Sequence, residues 1–291
     1  MRVLITGANG QVGQFLVDKL CKRSDVELFA MDRMQLDISN RAVVRDAFER
    51  IKPQVVINAA AYTAVDKAES EIDLCFAVNE IGSLNLAQAS EQHQSLLLHI
   101  STDYVFDGTK SGAYIESDIA KPTSIYGRSK HAGEEAIKTN CSWFVILRTA
   151  WVFSEHGSNF VKTMLRLAQS KPELGIVADQ FGGPTYAGDI ADTLIKMMDK
   201  LLVNRALTGI YHYSGYPHVS WYDFAGRIFA SAMQKQVLMQ SPKLRPIETK
   251  DYPTSAVRPA NSRLDCEAIA TRFDISPSDW QLALEKIEDY R

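Results

Sequence analysis

Short apolar runs alternate with longer amphipathic segments along the first half of the chain. Apolar runs of this length are typical of strands that are buried on both faces of a parallel sheet. The predicted strands are residues 3–6, 27–31, 55–58, 96–101 and 144–147, and the predicted helices are residues 11–22, 40–51, 72–93 and 125–138. Strands and helices in alternation predict an α/β fold with a doubly wound parallel sheet.

The pattern is looser in the second half of the chain, where we expect a smaller lobe. The predicted elements there are a helix at 159–169, a strand at 175–177, a helix at 187–202 and a strand at 209–213 that returns to the sheet. The remaining residues, with prolines at positions 242, 246, 253 and 259, predict a loop-rich structure. A cleft between two such lobes is a natural place for a small-molecule site.

A glycine-rich turn follows the first strand at once. Gly7, Gly10 and Gly13 lead directly into the first helix. Glycines in such a turn let the backbone approach a pyrophosphate, and the helix N-terminus offers N–H groups and a positive dipole end to phosphates. Asp32 ends the second strand nineteen residues after Gly13, near the spacing of a carboxylate that binds an adenosine ribose. The series predicts a Rossmann-type dinucleotide-binding domain.

These elements divide the chain into two parts. We expect residues 1–152 to form the dinucleotide-binding domain, with residues 175–213 returning to it. Residues 153–291 are expected to form mainly a smaller C-terminal substrate-binding lobe.

A tyrosine and a lysine stand one helical turn apart in the fourth predicted helix. Tyr126 and Lys130 are at positions i and i+4, so both side chains lie on one face of the helix. A cation beside a phenol favours the phenolate and lowers the phenol's pKa. We therefore expect Lys130 to lower the pKa of Tyr126, whose hydroxyl could pass a proton to or from an alcohol or ketone.

Composition excludes several classes of function. The chain has 291 residues, is 46% hydrophobic and carries a net charge of −3 without a basic run, so nucleic acid is not an expected partner. No apolar stretch is long enough to span a membrane, and the apolar run at 1–6 is too short for a signal peptide, so we expect a cytoplasmic protein. The four cysteines and six histidines lack ligand spacing, so no metal site is predicted.

The combined motifs resemble the extended short-chain dehydrogenase/reductase superfamily. The resemblance rests on the GxxGxxG turn, the Tyr126/Lys130 pair, and the strand-end segments 58–63, 101–108 and 148–153. Further segments are similar to one branch in particular, the dTDP-4-dehydrorhamnose reductase family: residues 64–69, 179–185 and 258–264. The resemblance implies reduction of the 4-keto group of a nucleotide sugar, dTDP-4-dehydro-L-rhamnose, by NADPH or NADH, in a route to cell-surface polysaccharide.

The resemblance also implies roles for individual residues. Tyr126 would donate the proton, Thr102 would hydrogen-bond the same carbonyl, and Lys130 would hold the nicotinamide ribose. The expected cofactor-binding residues are Gly7, Gly10, Gln11, Val12, Gly13, Asp32, Arg33, Asp37, Ile38, Ala61, Tyr62, Thr63, Tyr126 and Lys130. The expected substrate-binding residues are Thr102, Asp103, Trp151 and Arg258.

Each of these roles has a structural alternative. The Thr102 hydroxyl and the Asp103 carboxylate could instead close the turn after the strand. Trp151 could stack on the sugar or fill the core. Arg258 presents a fork of donors to a diphosphate, but it could equally be a solvated surface side chain.

The cofactor and the assembly also stay open at this stage. Asp32 favours NADH by repelling a 2′-phosphate, whereas Arg33 next to it could accommodate that phosphate, so we expect use of both carriers. The resemblance is compatible with magnesium and with a homodimer, but it places no magnesium site.

Two other activities remain under consideration. Nucleotide-sugar epimerases and dehydratases of the superfamily share the glycine turn and the tyrosine–lysine pair, although dehydratases carry Asp-Glu after the threonine and this chain has Asp103 followed by Tyr104. A relative in the family binds NADP without catalysis, as a regulatory subunit of methionine adenosyltransferase. The presence of Thr102, Tyr126 and Lys130 favours an enzyme.

Overall fold

The architecture is that of an α/β protein with two lobes, seen in a computed structural model that describes residues 1–290. The strands are β1 (Arg2–Thr6), β2 (Glu27–Met31), β3 (Val55–Asn58), β4 (Leu96–Thr102), β5 (Phe144–Thr149), β6 (Val152–Phe153), β7 (Glu173–Val177), β8 (Phe181–Gly182), β9 (Thr185–Tyr186), β10 (Gly209–His212), β11 (Val219–Ser220), β12 (Lys243–Ile247) and β13 (Asn261–Ser262). The helices are α1 (Gln11–Leu20), α2 (Arg41–Ile51), α3 (Val65–Ala68), α4 (Ile72–Phe76), α5 (Gly82–His93), α6 (Ile125–Asn140), α7 (Phe160–Ala168), α8 (Ala187–Val203), α9 (Trp221–Gln234), α10 (Glu267–Phe273) and α11 (Trp280–Leu284).

A six-stranded parallel sheet forms the centre of the larger lobe. Its strand order is β10-β5-β4-β3-β1-β2, so the chain reverses direction across the sheet between β1 and β3. Ligands of such sheets bind beyond the carboxyl ends of the strands at this switch point. The α/β fold with a doubly wound parallel sheet is thus confirmed, including the return of the strand at 209–212.

Both faces of the sheet are covered, which explains the continuous apolar runs. Val3 and Ile5 of β1 pack in a core with α1, α8 and α10, whereas Leu4 packs in a core with α2, α5 and α6. The same alternation along β3, β4 and β5 gives two apolar layers, one on each side of the sheet. These layers fix the strand ends at which the polar residues of the site lie.

The smaller lobe has more regular structure than the sequence predicts. Strand β7 pairs in parallel with β12, so residues 175–177 do not join the central sheet. Helix α9 begins with a capping box in which Ser220 and Asp223 bond each other's backbone, and its apolar face packs on α7 and α11. Helix α10 lies against the larger lobe, where Ile269 and Phe273 enter the core of the central sheet.

The predicted long helix at 72–93 is interrupted by a π-helical turn. Residues Ala77–Ile81 form this turn between α4 and α5. Such turns leave backbone groups offset from the regular ladder and are frequent at functional sites. No helix among residues 1–290 combines the length and the apolar character needed to cross a bilayer.

Candidate active site

The glycine turn connects β1 to α1, and two of its glycines lie very close to other backbone atoms. Gly7 has a left-handed φ of +72°, and a Cβ on it would lie 2.6 Å from the backbone carbon of Ala59. A Cβ on Gly13 would lie 2.1 Å from the Gly7 carbonyl oxygen. A Cβ on Gly10 would meet only the Gly7 oxygen, at 3.3 Å. Gly7 and Gly13 are therefore required by the packing of the protein itself, while Gly10 leaves space at the mouth of the turn.

The N-terminus of α1 is open to an anion. Gly10 occupies the N-cap without a side-chain cap, and the first turn contains no acidic residue. The N–H groups of Gln11, Val12 and Gly13 have no partner within the helix, because the first helical bond runs from Gln14 to the Gly10 carbonyl. These three residues can therefore offer backbone donors to a phosphate.

The side chain of Gln11 is held by the smaller lobe. Its Oε1 accepts hydrogen bonds from Ser154 Oγ and Asn159 Nδ2, each at 3.0 Å. The amide of Gln11 thus ties α1 to the segment that begins the smaller lobe. The amide oxygen of Gln11 is thus occupied, while its backbone N–H is free to serve a phosphate.

A cleft of about 290 Å³ continues from the glycine turn across the carboxyl ends of β1, β2 and β3. Asp32 lies on its wall, where its carboxylate accepts hydrogen bonds from Asn9 Nδ2 at 2.9 Å and from the Met34 N–H at 2.9 Å. The cleft is lined by Gly7, Asn9, Gly10, Asp32, Arg33, Leu36, Asp37, Ile38, Ala59, Ala60, Ala61, Tyr62 and Val78. Eight of the expected cofactor residues are thus brought together, while Thr63 is exposed just beyond the wall. A narrow glycine cradle, a free helix N-terminus and a fixed carboxylate fit a dinucleotide.

A residue that the sequence did not single out holds one wall of this cleft. Asn79, on the π-helical turn, accepts a hydrogen bond from the Tyr62 N–H at 2.8 Å and donates to the Tyr62 carbonyl at 3.1 Å. Its amide also donates to Ser129 Oγ at 3.0 Å, and Ser129 lies on α6 next to the Tyr126 carbonyl that it bonds. The π-helical turn therefore links the cofactor cleft to the helix that bears Tyr126.

Tyr126 lies in the first turn of α6, where Ser124 caps the helix through the Gly127 N–H. Its ring is buried and packs edge to face against Tyr104, with ring centroids 5.5 Å apart. Burial raises the pKa of Tyr126 above its usual range, and the side chain of Thr102 acts in the opposite direction. The expected lowering of this pKa by Lys130 is therefore wrong for the ligand-free protein, because desolvation of the phenolate dominates.

Lys130 has other partners than the phenol. Its Nζ lies 3.0 Å from His99 Nε2 and donates to the Ile100 carbonyl at 2.7 Å. Only 2% of the residue is exposed, and this burial lowers the pKa of Lys130 to about 8. His99 was not predicted, although a histidine inside an apolar strand was a signal that could have drawn attention to it.

Thr102 and Asp103 form the end of β4 and the start of a one-turn 3₁₀ helix. Thr102 Oγ1 donates to Asp103 Oδ1 at 3.0 Å and accepts from the Tyr104 N–H at 3.2 Å, so it also caps the turn. Burial raises the pKa of Asp103 to about 6, against the opposing effect of Ser262 from the smaller lobe. The second carboxylate oxygen of Asp103 is buried without a partner. An orphaned acceptor beside Thr102 suits a ligand hydroxyl.

Trp151 lies at the junction of the lobes, with its backbone in the left-handed region at φ +49°. Its ring stacks on Trp221 of α9, with ring centroids 3.5 Å apart and planes 11° from parallel. A Cβ on Gly182 would lie 2.5 Å from the Trp151 ring. The half-buried indole is therefore fixed by packing within the smaller lobe, and contact with a sugar would have to use its remaining surface.

Arg258 is bound to the larger lobe. Its Nη2 forms an ion pair with Asp66 at 2.7 Å, and its Nη1 donates to Tyr104 Oη at 3.2 Å. Asp66 also accepts from the Ala256 N–H at 3.2 Å, so this carboxylate fastens the loop of the smaller lobe. The Arg258 side chain is 29% exposed, and Tyr104 lies between it and Tyr126, in contact with both.

No group of three or more His, Cys, Asp and Glu side chains within residues 1–290 is arranged to hold a metal ion. We therefore assign no residues to the magnesium ion with which the family resemblance is compatible.

Comparisons with known proteins agree with this arrangement. A family model described as the RmlD substrate binding domain matches residues 1–290. A dTDP-4-dehydrorhamnose reductase of Aggregatibacter actinomycetemcomitans is 51% identical over 290 residues, which cover 99% of both proteins. A crystal structure of a dTDP-4-dehydrorhamnose reductase from Clostridium acetobutylicum has a TM-score of 0.92 and 38% identity, covering 99% of both chains. Another, from Bacillus anthracis in complex with NADP, has a TM-score of 0.89 and 38% identity, covering 99% of this chain and 98% of that one.

Proposed function

We propose that this chain, which belongs to the dTDP-4-dehydrorhamnose reductase family, uses Tyr126 as the acid of its reaction, with Thr102 and Lys130 beside it. The reaction is the NADPH-dependent reduction of the 4-keto group of dTDP-4-dehydro-L-rhamnose, which gives dTDP-L-rhamnose. The chain is thus an oxidoreductase of nucleotide-sugar and polysaccharide biosynthesis. The burial of Tyr126 and Lys130 on one face of α6, at the carboxyl end of β4 where Thr102 lies, carries the assignment of the acid.

The bound cofactor supplies a hydride to the C4 carbon of the sugar. Negative charge then develops on the carbonyl oxygen, and a positioned donor lowers the barrier by stabilising that charge. Tyr126 donates its hydroxyl proton to this oxygen, so a C–H and an O–H bond form as the C=O double bond is lost. Thr102 turns its one hydroxyl hydrogen from Asp103 Oδ1 to the same oxygen and holds the carbonyl in line. Burial, which raises the pKa of Tyr126, keeps the phenol protonated for this task.

The cofactor-binding residues hold the two ends of the dinucleotide. The N–H groups of Gln11, Val12 and Gly13 bind the pyrophosphate, and Asp32 binds the adenosine ribose. Asp37 and Ile38 lie under the adenine, while Ala61, Tyr62 and Thr63 support the nicotinamide half together with Tyr126 and Lys130. Of these residues, Asp32, Asp37, Ile38, Ala61 and Tyr62 line the cleft at the strand ends.

The choice between NADPH and NADH depends on two adjacent side chains. Asp32 is fixed by three hydrogen bonds, whereas Arg33 is exposed and can turn toward a 2′-phosphate. NADPH is the carrier, and we expect NADH to replace it with less than about a thousandfold loss in kcat/KM, since one arginine–phosphate contact contributes about 1.5–3 kcal/mol. A larger ratio, measured with both carriers at the same sugar concentration, would contradict this tolerance.

The nucleotide sugar binds between the two lobes in this proposal. Asp103 uses its orphaned oxygen to accept a sugar hydroxyl, and Trp151 contacts the sugar ring with the surface that Trp221 leaves open. Arg258 turns from Asp66 to the diphosphate, because that ion pair is partly exposed and weak. We accordingly assign residues 1–152 with 187–213 to dinucleotide binding and the rest mainly to substrate binding.

The proposal also covers the cellular location and the oligomeric state of the enzyme. We place the enzyme in the cytoplasm, where four free cysteines stay reduced. We expect a homodimer from the family resemblance, which light scattering on the purified protein would measure directly.

The reaction is tested by supplying purified protein with dTDP-4-dehydro-L-rhamnose and NADPH. We expect loss of the reduced-nicotinamide absorbance, matched one for one by dTDP-L-rhamnose. Thr102→Val, which keeps the side-chain shape but removes the donor, should lower kcat by at least about tenfold with little change in NADPH affinity. Oxidation of NADPH without the rhamnose product would overturn the reaction, and an unchanged kcat in Thr102→Val would remove Thr102 from the mechanism.

A further inference from the structure

The carboxylate of Asp32 is held by donors from two different segments of the cleft wall. Its Oδ1 accepts hydrogen bonds from the Met34 N–H at 2.9 Å and from the Gln35 N–H at 3.1 Å. Its Oδ2 accepts a hydrogen bond from Asn9 Nδ2 at 2.9 Å. The first two donors lie in the turn that follows β2, whereas Asn9 lies in the glycine turn after β1. Rotation of the carboxylate would therefore break its bonds to both segments.

Asn9 occupies a position that the glycine motif leaves open, between Gly7 and Gly10. A carboxylate only accepts hydrogen bonds, so the Asn9 atom that faces Asp32 Oδ2 is the amide nitrogen. The backbone of Asn9 is held as well, because its carbonyl accepts a hydrogen bond from Gln14 Nε2 at 3.0 Å. Asn9 is exposed and lines the same cleft as Asp32. The Asn9–Asp32 bond is therefore within reach of a ligand in that cleft.

The three hydrogen bonds use most of the acceptor capacity of Asp32. A carboxylate offers about four acceptor sites, two on each oxygen. Two backbone donors occupy Oδ1, and Asn9 occupies one site of Oδ2, so about one site is left for a ligand. Without the bond from Asn9, about two sites would be left, both on Oδ2. Asn9 therefore sets the number of acceptor sites that Asp32 offers to a ligand.

This number distinguishes the two forms of the dinucleotide. The adenosine ribose of NADH carries two hydroxyl donors, whereas the 2′-phosphate leaves the ribose of NADPH with the 3′-hydroxyl alone. One free acceptor site matches one hydroxyl. The second hydroxyl of NADH must displace Asn9 or remain without a bond to the carboxylate. Since a hydrogen bond to a charged group changes an equilibrium constant by about tenfold or more, this mismatch disfavours NADH.

Asn9 also reduces the repulsion between Asp32 and a 2′-phosphate. The positive end of its amide dipole faces the carboxylate, and its nitrogen keeps a second hydrogen that a phosphate oxygen can accept. Arg33 lines the same cleft and supplies a positive charge. These two side chains let an anionic group approach a wall that bears a carboxylate.

We propose that Asn9 is a specificity-determining residue that favours NADPH over NADH, because it occupies the acceptor site on Asp32 that the second ribose hydroxyl of NADH would use. The inference rests on the proposed function, in which Asp32 binds the adenosine ribose. It adds to that site a side chain that selects the carrier through the carboxylate.

Calorimetry with the full-length protein and the oxidised carriers NADP⁺ and NAD⁺ tests this inference without turnover. Asn9→Ala should bind NAD⁺ more tightly than the wild type, since a second site on Asp32 becomes free, and should bind NADP⁺ no more tightly. The ratio of the two dissociation constants, NAD⁺ over NADP⁺, should therefore fall at least about fivefold. A smaller fall, or a rise, would overturn the proposal.

Three further variants separate this role from a general effect on the turn. Asn9→Asp also lacks the donor and adds a negative charge, so the ratio should fall at least as far as in Asn9→Ala. Gln14→Ala removes an amide from the same turn that has no bond to Asp32, and its ratio should stay within about twofold of the wild-type value. In an Asp32→Ala background, Asn9→Ala should change the ratio by less than about twofold, because the effect depends on the carboxylate. A full effect in that background, or an equal fall in Gln14→Ala, would refute the role of the Asn9–Asp32 bond.

Failure of this inference is distinguishable from failure of the proposed function. If neither carrier binds the wild-type protein, the proposed dinucleotide site is wrong and the inference is lost with it. If both carriers bind and the ratio is unchanged in Asn9→Ala, the role of Asn9 alone is refuted, and the assignment of the cleft to the cofactor stands.

Discussion

Replacing Tyr126 by phenylalanine isolates the chemical role of one hydroxyl. The ring keeps its contacts with Ala68, Cys75 and Tyr104, since only the oxygen is lost. The hydroxyl is buried, and removing it together with its weak interaction with Thr102 should change the free energy of unfolding by no more than about 1 kcal/mol. Loss of a general acid should lower kcat by at least about a hundredfold, which corresponds to about 2.7 kcal/mol in the activation free energy. The kinetic effect is thus much larger than any structural one.

The assay follows NADPH absorbance at saturating ketosugar and pH 7, and calorimetry measures NADPH binding to the same preparations. We expect kcat to fall while the dissociation constant for NADPH changes less than about threefold, since the ring still lines the site. Tyr104→Phe is the matched control, because it removes a neighbouring buried hydroxyl whose partner is Arg258 rather than the reacting carbonyl. A Tyr126→Phe enzyme with a kcat within tenfold of wild type would refute the assignment of the acid. An equal fall in Tyr104→Phe would attribute the loss to packing.

Three further predictions concern the glycine turn, the buried carboxyl group of Asp103 and the guanidinium of Arg258. Gly10→Val should keep the fold, since the backbone at φ −76° suits any residue, yet weaken NADPH binding by at least about tenfold in calorimetry; wild-type affinity would be inconsistent with a pyrophosphate at this turn. Asp103→Asn should leave the free energy of unfolding in urea nearly unchanged at pH 4 and raise it by up to about 3 kcal/mol at pH 7. The reason is that burial raises the pKa of Asp103 to about 6, so the wild-type protein loses stability as this carboxyl ionises between about pH 4 and 6; a pH-independent difference would argue against a buried carboxylate. Arg258→Met should raise KM for the nucleotide sugar by about tenfold or more with little change in KM for NADPH, and equal effects on both would contradict a diphosphate contact.

The larger lobe was predictable because its signals are local. The inner strands of the central sheet are buried on both faces, so they read as apolar runs, as Val55, Val56 and Ile57 illustrate. The glycine turn was also readable, since a Cβ on Gly13 would meet the backbone of Gly7 and Ala8 within the same β1–turn–α1 unit. Such features need no knowledge of the rest of the chain.

The smaller lobe depends on pairings between distant residues, which no local pattern reveals. Strand β7 is stabilised by β12, about seventy residues later in the chain, and β8 is two residues long between two equally short partners. A two-residue strand has too few positions to show an alternation of apolar and polar side chains. The helical spacing of 72–93 likewise conceals the π-helical turn, because one extra residue in the ladder changes the sequence pattern little.

Lys130 and Arg258 differ in how freely they can change hydrogen-bond partners when a ligand binds, and burial explains the difference. The spacing correctly put Lys130 on the face of α6 that bears Tyr126. It could not show that Lys130 Nζ contacts His99, which belongs to the distant strand β4. Likewise, the sequence could not show that Arg258 forms an ion pair with Asp66 of α3. The Arg258–Asp66 pair is partly exposed, so it contributes no more than about 1 kcal/mol, and a diphosphate can displace the carboxylate. The contacts of Lys130 lie in a buried interior, where moving the amine would leave His99 Nε2 and the Ile100 carbonyl without partners. Arg258 can therefore exchange partners when substrate binds, whereas Lys130 must act from the position that His99 gives it.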